Sequence, residues 1–522
     1  MDEKPTIEVV DSQTRTDSDA EKAEVIHVEA APVASVSSLN ERREALQGED
    51  PLAAFSQREI RRTWMKVDVH ILPVAVLLYF SSYIARTNLA NANVLGMGEA
   101  LSLTANQYNL ALSIFFVGYV LFETPSNIII RRINARVYIS AMALIWGLIC
   151  SLTAIVKNSQ GLMAARFFLG LAEAGFLPGI ILWVGSWYPR PMQGQRFSVL
   201  YCTVSLTGAF GGLLATGINT LDGKRGIAGW RWIFLIEGAI SVVLGIYTFV
   251  FFSSSPTTSA WLKPRERQII LLTNEIDRAL RADEPFSASQ IKSAFTDWRM
   301  YLWGLMYWMN NVPVYSVILS LPVVVTGLGY TGTTATLFAV WPYFVGFGAV
   351  AVTGYTLDQY GHRFAHYCVG IIVASIALIV LIIVENLAVR YVMYFFVMFM
   401  FLPITTMWSW LAQNVAGSNK RAAATGFTLS MANVGGIVGG QLYRAEWAPR
   451  YVQGHAINLA CYAVALVAGT VMWLSYKRDN AARDRAEGIA NGGANVKQRR
   501  EGMLGMDLGD LGDRDPRYRY YL

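Results

Sequence analysis

Arg166–Gly179, RFFLGLAEAGFLPG, is an apolar stretch that carries two charges, Arg166 and Glu173. It sits inside a run long enough to cross a bilayer, which takes roughly 20 residues. An ionisable side chain deep in a membrane helix costs about 2.5 kcal/mol or more, so such residues mark a pathway or a buried pair. Seven positions separate Arg166 from Glu173; that is about two helical turns, so both lie on one face. Gly170 with Ala174, and Gly175 with Gly179, are spaced to let a neighbouring helix come close. Pro178 weakens the helix one turn past the carboxylate. A charged, tightly packed and locally broken helix reads as the wall of a substrate cavity.

The rest of the chain has the same character. Of its 522 residues 54% are hydrophobic and 15% charged, where a soluble chain carries about 25% charged. An all-α membrane protein is expected, with about twelve transmembrane helices in two six-helix halves. Apolar spans fall at 69–91, 108–130, 137–156, 161–185, 198–220 and 231–252, then at 301–326, 333–356, 365–384, 389–413, 422–443 and 453–475. The expected organisation is a disordered polar tail over 1–66, a first half over 67–252 and a linker over 253–298. A second half over 299–476 and a polar tail over 477–522 complete it. In the linker, Ile269, Leu272, Ile276 and Leu280 recur at helical spacing behind Pro264, which predicts an amphipathic surface helix.

Shifting the chain by 225 positions lays Pro178 on Pro403, Trp183 on Trp408, Arg196 on Arg421, Ser205 on Ser430 and Gly211 on Gly436. Parallel six-span repeats are a standard transporter plan. Basic residues gather at one set of loops: Arg58, Arg61, Arg62 and Lys66, then Arg131, Arg132 and Arg136, then Arg190, Arg196, Arg363, Lys420, Arg421, Lys477 and Arg478. That bias puts both tails in the cytoplasm. The net charge of +6 is therefore a matter of topology rather than of nucleic-acid binding. Cys150, Cys202, Cys368 and Cys461 lie in apolar segments without metal-ligand spacing. With no nucleotide loop, metal cluster or nucleophile–base pair, neither an enzyme nor a cofactor is expected, and no oligomerisation signal argues against a monomer.

The loop Gly354–Arg363, GYTLDQYGHR, has the pattern G-x-x-x-D-x-x-G-x-R. It resembles the loop signature of the major facilitator superfamily, which implies a gating role for Gly354, Asp358, Gly361 and Arg363. The equivalent first-half loop, Asn127–Arg136, lacks the Asp and the second Gly. YIARTNLANAN in span one, FFVGYVLFETPSN in span two, the stretch quoted first, and GWRWIFLIEG over Gly229–Gly238 resemble the anion:cation symporter family. Fungal allantoate and nicotinate permeases look similar, and DRDPRYRY over 513–520 loosely echoes their tails. The resemblance implies proton-coupled import of a small organic anion at the plasma membrane.

On that resemblance Arg86 contacts the substrate carboxylate, which a guanidinium can meet with two parallel bonds. Snorkelling of Arg86 to the headgroups is the bland reading. Glu173 is the expected proton carrier, since a carboxyl in an apolar site can take up and release a proton as its surroundings change. A permanent ion pair with Arg166 or Arg86 is its alternative. Family members have Asp immediately before the span-one Arg; here stands Ala85, so one of two protonatable carboxylates is missing. Glu123 is expected to pair structurally with Arg131 or Arg196, and Glu237 to help hold span six. Asn88, Tyr307, Asn310, Asn311, Tyr343, Trp408 and Asn433 supply the amides and rings that would grip the rest of a substrate. Glycines at 208, 211 and 212, and at 435, 436, 439 and 440, thin spans five and eleven and mark where helices slide. The competing readings are export or exchange of a carboxylate, and a nutrient sensor that does not transport.

Overall fold

Ser56 starts the first long helix by accepting the Glu59 amide hydrogen on its hydroxyl. The computed structural model describes residues 7–10, 25–28, 52, 54–130, 133–279, 288–415, 418–486 and 518–521. A short antiparallel ribbon, β1 (Ile7–Val10) with β2 (Val25–Val28), precedes the helices. The rest of the 1–66 stretch expected to be disordered lies outside the described residues, apart from residues 52 and 54–56 and the start of the first helix.

The helices of the first half are α1 (Gln57–Ala92), α2 (Ala105–Ile130), α3 (Ala135–Thr153), α4 (Ser159–Glu173), α5 (Phe176–Trp187), α6 (Arg190–Asn219) and α7 (Gly229–Phe251). The linker carries α8 (Pro264–Ala279) and α9 (Ala288–Thr296). The second half has α10 (Trp298–Thr326), α11 (Gly332–Tyr360), α12 (Arg363–Ile383), α13 (Leu387–Val397), α14 (Phe401–Asn414), α15 (Ser418–Gly439) and α16 (Val452–Ala486). Ten runs are long and apolar enough to cross a membrane, counting α4–α5 and α13–α14 as one run each. With α6 and α15 they make twelve among the described residues. α1 begins before its apolar stretch and α16 runs on beyond its own, because hydropathy registers the lipid-facing part and not the helix. In the following, the near face is where α1 begins and α16 ends; the far face is opposite.

Span four is broken where the proline requires it. α4 ends at Glu173, and α5 restarts at Phe176 with Pro178 in its first turn. Pro178 has no N–H for the Ala174 carbonyl and its ring crowds that carbonyl. The equivalent span ten breaks through a 3₁₀ turn, Met398–Met400, just before Pro403. The repeat extends to packing. α1 packs on α6 and α7, and α3 on α4 and α7; α10 packs on α15 and α16, and α12 on α14 and α16.

The two sets of six meet through α2 against α15, α6 against α11 and α1 against α10. Towards the far face this seam is tight. Ser113 donates to the Ile437 carbonyl at 2.8 Å, Gln441 to the Asn109 carbonyl at 2.8 Å, and Thr216 and Thr336 share a 2.9 Å bond. A methyl group on Gly212 would stand 2.7 Å from Val340, and one on Gly436 would overlap the Phe116 ring. Towards the near face, a methyl on Gly354 or Gly426 would meet nothing within 4 Å.

At the near face the linker is fastened to α1. Lys66 pairs with Glu266 at 2.6 Å and Arg265 with Glu59 at 2.7 Å, while Ile269 and Ile270 of α8 are buried. The Ile276 side chain and Leu280 lie outside the described residues.

Candidate substrate site

α1 and α4 run in opposite directions, so late residues of one meet early residues of the other. Glu173, at the end of α4, faces Ser82 and Arg86. Arg86 Nε donates to Glu173 Oε2 at 2.7 Å and Ser82 Oγ to the same oxygen at 2.8 Å. Arg166, earlier on α4, faces Ala85 and Asn88. Its Nη1 donates to the Ala85 carbonyl at 2.9 Å and its Nη2 to Asn88 Oδ1 at 2.8 Å. The partner of Glu173 is thus Arg86, and Arg166 reaches Glu237 through an amide: Asn88 Nδ2 donates to Glu237 Oε2 at 3.0 Å. Glu173 Oε1 and Glu237 Oε1 are buried with no hydrogen-bond partner among the described residues.

A cavity of about 50 Å³ lies between the halves. Arg86 forms part of its wall, with the rings of Tyr83, Phe115 and Tyr119 at 4.7, 5.4 and 4.8 Å from the guanidinium carbon. Of the residues singled out in the sequence, Arg86, Tyr307, Asn311, Trp408 and Asn433 line the cavity. Tyr79, Tyr83, Tyr119 and Tyr315 line it too. Tyr83 lies one turn before Arg86 inside the quoted YIAR motif, which was the available signal for it. Tyr119 lies one turn before Glu123, inside the FFVGYVLFETPSN motif.

The structure puts the other candidates elsewhere. Asn88 is the amide between Arg166 and Glu237, behind α1. Asn310 donates to the Met306 carbonyl at 2.8 Å and to Tyr367 Oη at 3.1 Å, within the second half. The Tyr343 ring lies against Gly208. Glu123 crosses the seam, accepting from Ser430 at 3.3 Å and from Asn433 at 3.4 Å. Arg196, one partner expected for Glu123, binds Asp68 at 2.8 Å instead, because both project at the near face; Arg131 lies outside the described residues. In the loop signature, Gly361 ends α11 at φ 68°, where a side chain would be strained. Arg363 turns back to the Gly361 carbonyl at 3.0 Å, while Gly354 has open space beside it. Only the backbone of Asp358 is described.

The site is thus a buried guanidinium on a cavity wall, with one carboxylate behind it and aromatic rings around it. Such a wall can receive an anion. Solved transporters share the architecture. A bacterial homolog of the human lysosomal transporter Spinster, in an inward-facing and unoccupied conformation, superposes with a TM-score of 0.62 at 15% identity, over 80% of this chain and 97% of that one. A D-xylose–proton symporter does so with a TM-score of 0.60 at 13% identity, over 78% and 97%. At these identities the likeness shows the fold alone. An uncharacterized transporter of Schizosaccharomyces pombe is 31% identical over 88% of this chain and 90% of its own length. The major facilitator-type transporter hxnP of Emericella nidulans is 28% identical over 88% and 92%. The Major Facilitator Superfamily profile matches residues 75–440, and the chain belongs to that family: it is a multi-pass membrane transporter, not an enzyme.

Proposed function

We propose that the chain imports a small organic anion together with a proton, by alternating access of the central cavity to the two faces. The observation that carries this reading is the buried Arg86–Glu173 pair at the cavity wall, 2.7 Å apart, with the second Glu173 oxygen unpartnered among the described residues. Arg86 spends Nε on Glu173, and a guanidinium has five N–H donors in a planar fork, so an edge is left for a substrate carboxylate. A second carboxylate beside one cation leaves the site with an uncompensated negative charge. Moving such a charge through the bilayer centre costs several kcal/mol, at least about 2.5. Protonation of Glu173 removes it. The empty site (Arg86 with the Glu173 carboxylate) and the loaded site (Arg86 with the substrate carboxylate and neutral Glu173) then carry the same charge, and half-loaded states are disfavoured. With Ala85 next to Arg86, Glu173 carries the coupling alone, at one proton per monocarboxylate.

Tyr79, Tyr83, Tyr119, Tyr307, Tyr315 and Trp408 suit a planar ring, and Asn311 and Asn433 suit its polar atoms. A nicotinate-like or allantoate-like carboxylate fits this lining. About 50 Å³ is far below the roughly 300–1,000 Å³ of a small-molecule site, so substrate entry requires the halves to move. The tight far-face glycines and the open near-face ones support a state facing the near side. The basic residues of the near-face loops support a cytoplasmic near face, and the family likeness supports the plasma membrane and a monomer.

Exchange of two carboxylates is the second reading, favoured by the directness of the Arg86–Glu173 pair, which another carboxylate could displace without any proton. Uptake of labelled nicotinate, allantoate and pantothenate into transporter-deficient yeast at pH 5 and pH 7.5 separates the readings. The symporter gives saturable uptake, faster at pH 5 and abolished by Arg86→Ala. Uptake that is pH-independent and survives Glu173→Gln overturns proton coupling; exchange then shows as efflux that needs external carboxylate.

A further inference from the structure

The segment Tyr518–Tyr521 is seated in the near-face base of the second half, and its backbone is held as a peptide-binding groove holds a ligand. Two asparagines bracket successive peptide units. Asn480 on α16 accepts the Tyr520 N–H at 2.9 Å and donates to the Tyr520 carbonyl at 2.9 Å. Asn414 on α14 accepts the Tyr521 N–H at 2.7 Å and donates to the Tyr521 carbonyl at 3.0 Å. Each amide therefore offers a donor and an acceptor to one residue, as a paired strand would. Trp410 adds a bond to the Tyr521 carbonyl at 3.0 Å, and Arg483 one to the Tyr518 carbonyl at 2.6 Å.

The side chains fill matching places. The Tyr520 ring stacks on Tyr476 with centroids 4.4 Å apart, and its hydroxyl accepts from Arg299 at 3.0 Å. Tyr518 Oη donates to the Gln413 carbonyl at 2.9 Å, and Arg519 binds Asp484 at 2.8 Å. Tyr518, Arg519 and Tyr520 are buried. The Tyr521 ring covers the Arg363 guanidinium at 4.4 Å. The groove thus joins the near-face ends of α10, α12, α14 and α16.

The first half has an equivalent device in the segment that follows its own last span. Trp261 stacks on His70 of α1 at 4.2 Å, lies parallel to Trp187 of α5 at 5.6 Å, and gives its carbonyl to Lys66 at 3.0 Å. In both halves an aromatic residue beyond the sixth span closes the base, against the start of the first span and the end of the fourth.

We propose that the near-face end of the second half is a peptide-receptor groove whose ligand is this chain's own Tyr518–Tyr521 segment, and that the seated segment ties α10, α14 and α16 into one rigid body. It does so whatever the substrate is.

The test cuts the tether after folding. A site-specific protease sequence is inserted between Gly492 and Gly493 of the full chain, and the purified protein is cleaved and passed through gel filtration. The released piece is expected to co-elute with the membrane body, and to be lost from it in Asn414→Ala/Asn480→Ala. Separation of the piece from the unmutated body overturns the proposal. A fluorescent peptide of sequence DPRYRYYL supplies the second arm: it is expected to bind a chain ending at Arg517 at least tenfold more tightly than the full chain, whose groove is occupied. Equal binding to the two chains also overturns it.

Discussion

Arg86 Nε and Ser82 Oγ converge on one oxygen of Glu173, at 2.7 and 2.8 Å, and leave the other oxygen without a partner among the described residues. The carboxylate is held firmly through one oxygen, and the other is buried with its acceptor capacity unused.

Replacing Glu173 by Gln keeps the shape of that contact and removes the titration. Uptake in Glu173→Gln is expected to lose its acceleration between pH 7.5 and pH 5 while carboxylate exchange persists. The ratio of uptake rates at the two pH values, measured in cells and then in proteoliposomes, checks this.

Arg86→Ala strands a buried carboxylate, which costs about 3–5 kcal/mol. The variant is expected to lose both transport and thermal stability. Arg86→Ala/Glu173→Ala is expected to regain most of the stability and none of the transport, because no unpaired charge is left but no anion site either. Melting temperatures of the purified set, compared as a double-mutant cycle, measure the coupling.

Asn88 joins a cation to a carboxylate that do not touch. Asn88→Ala leaves the Arg166 and Glu237 groups short of a partner, at roughly 1–3 kcal/mol for each group left unsatisfied. A lower melting temperature with an unchanged KM in the surviving protein is the expected result; a raised KM at unchanged stability would instead put Asn88 in contact with substrate.

Gly212 and Gly436 permit the far-face seam. Overpacking costs about 1–3 kcal/mol, so Gly212→Ala and Gly436→Ala are expected to shift the balance away from the far-closed state by about 5- to 150-fold. A cysteine at Ser113 should then label faster from the far side, with surface expression unchanged.

Trp408 lines the cavity, and among the described residues no hydrogen bond joins it to Arg86 or Glu173. Loss of its ring should weaken substrate binding by about 0.5–1.5 kcal/mol beyond the buried area, raising KM several-fold. The pH dependence is expected to stay as in the unmutated protein, which a KM series at two pH values would show.

What the sequence determined by itself was local. Span positions follow from runs of apolar residues and the break in span four from Pro178, since each depends on neighbours a few residues away. The presence of a cation and a carboxylate in the membrane was equally legible, because burying charge is too costly to occur without a use or a partner. Which charge met which was decided only by tertiary structure. Arg166 and Glu173 share a helix face, but two turns separate them by about 10 Å of rise, and α1 lies across that gap. Its antiparallel course gives Arg86 to Glu173 and Asn88 to Arg166. The same holds for Glu123, which meets Ser430 and Asn433 across the seam, and for Tyr518–Tyr521, whose groove is assembled from helices that begin at Trp298, Arg363, Phe401 and Val452. Partners so far apart in the chain have no periodicity or spacing to announce them; only the packing of the helices brings them together.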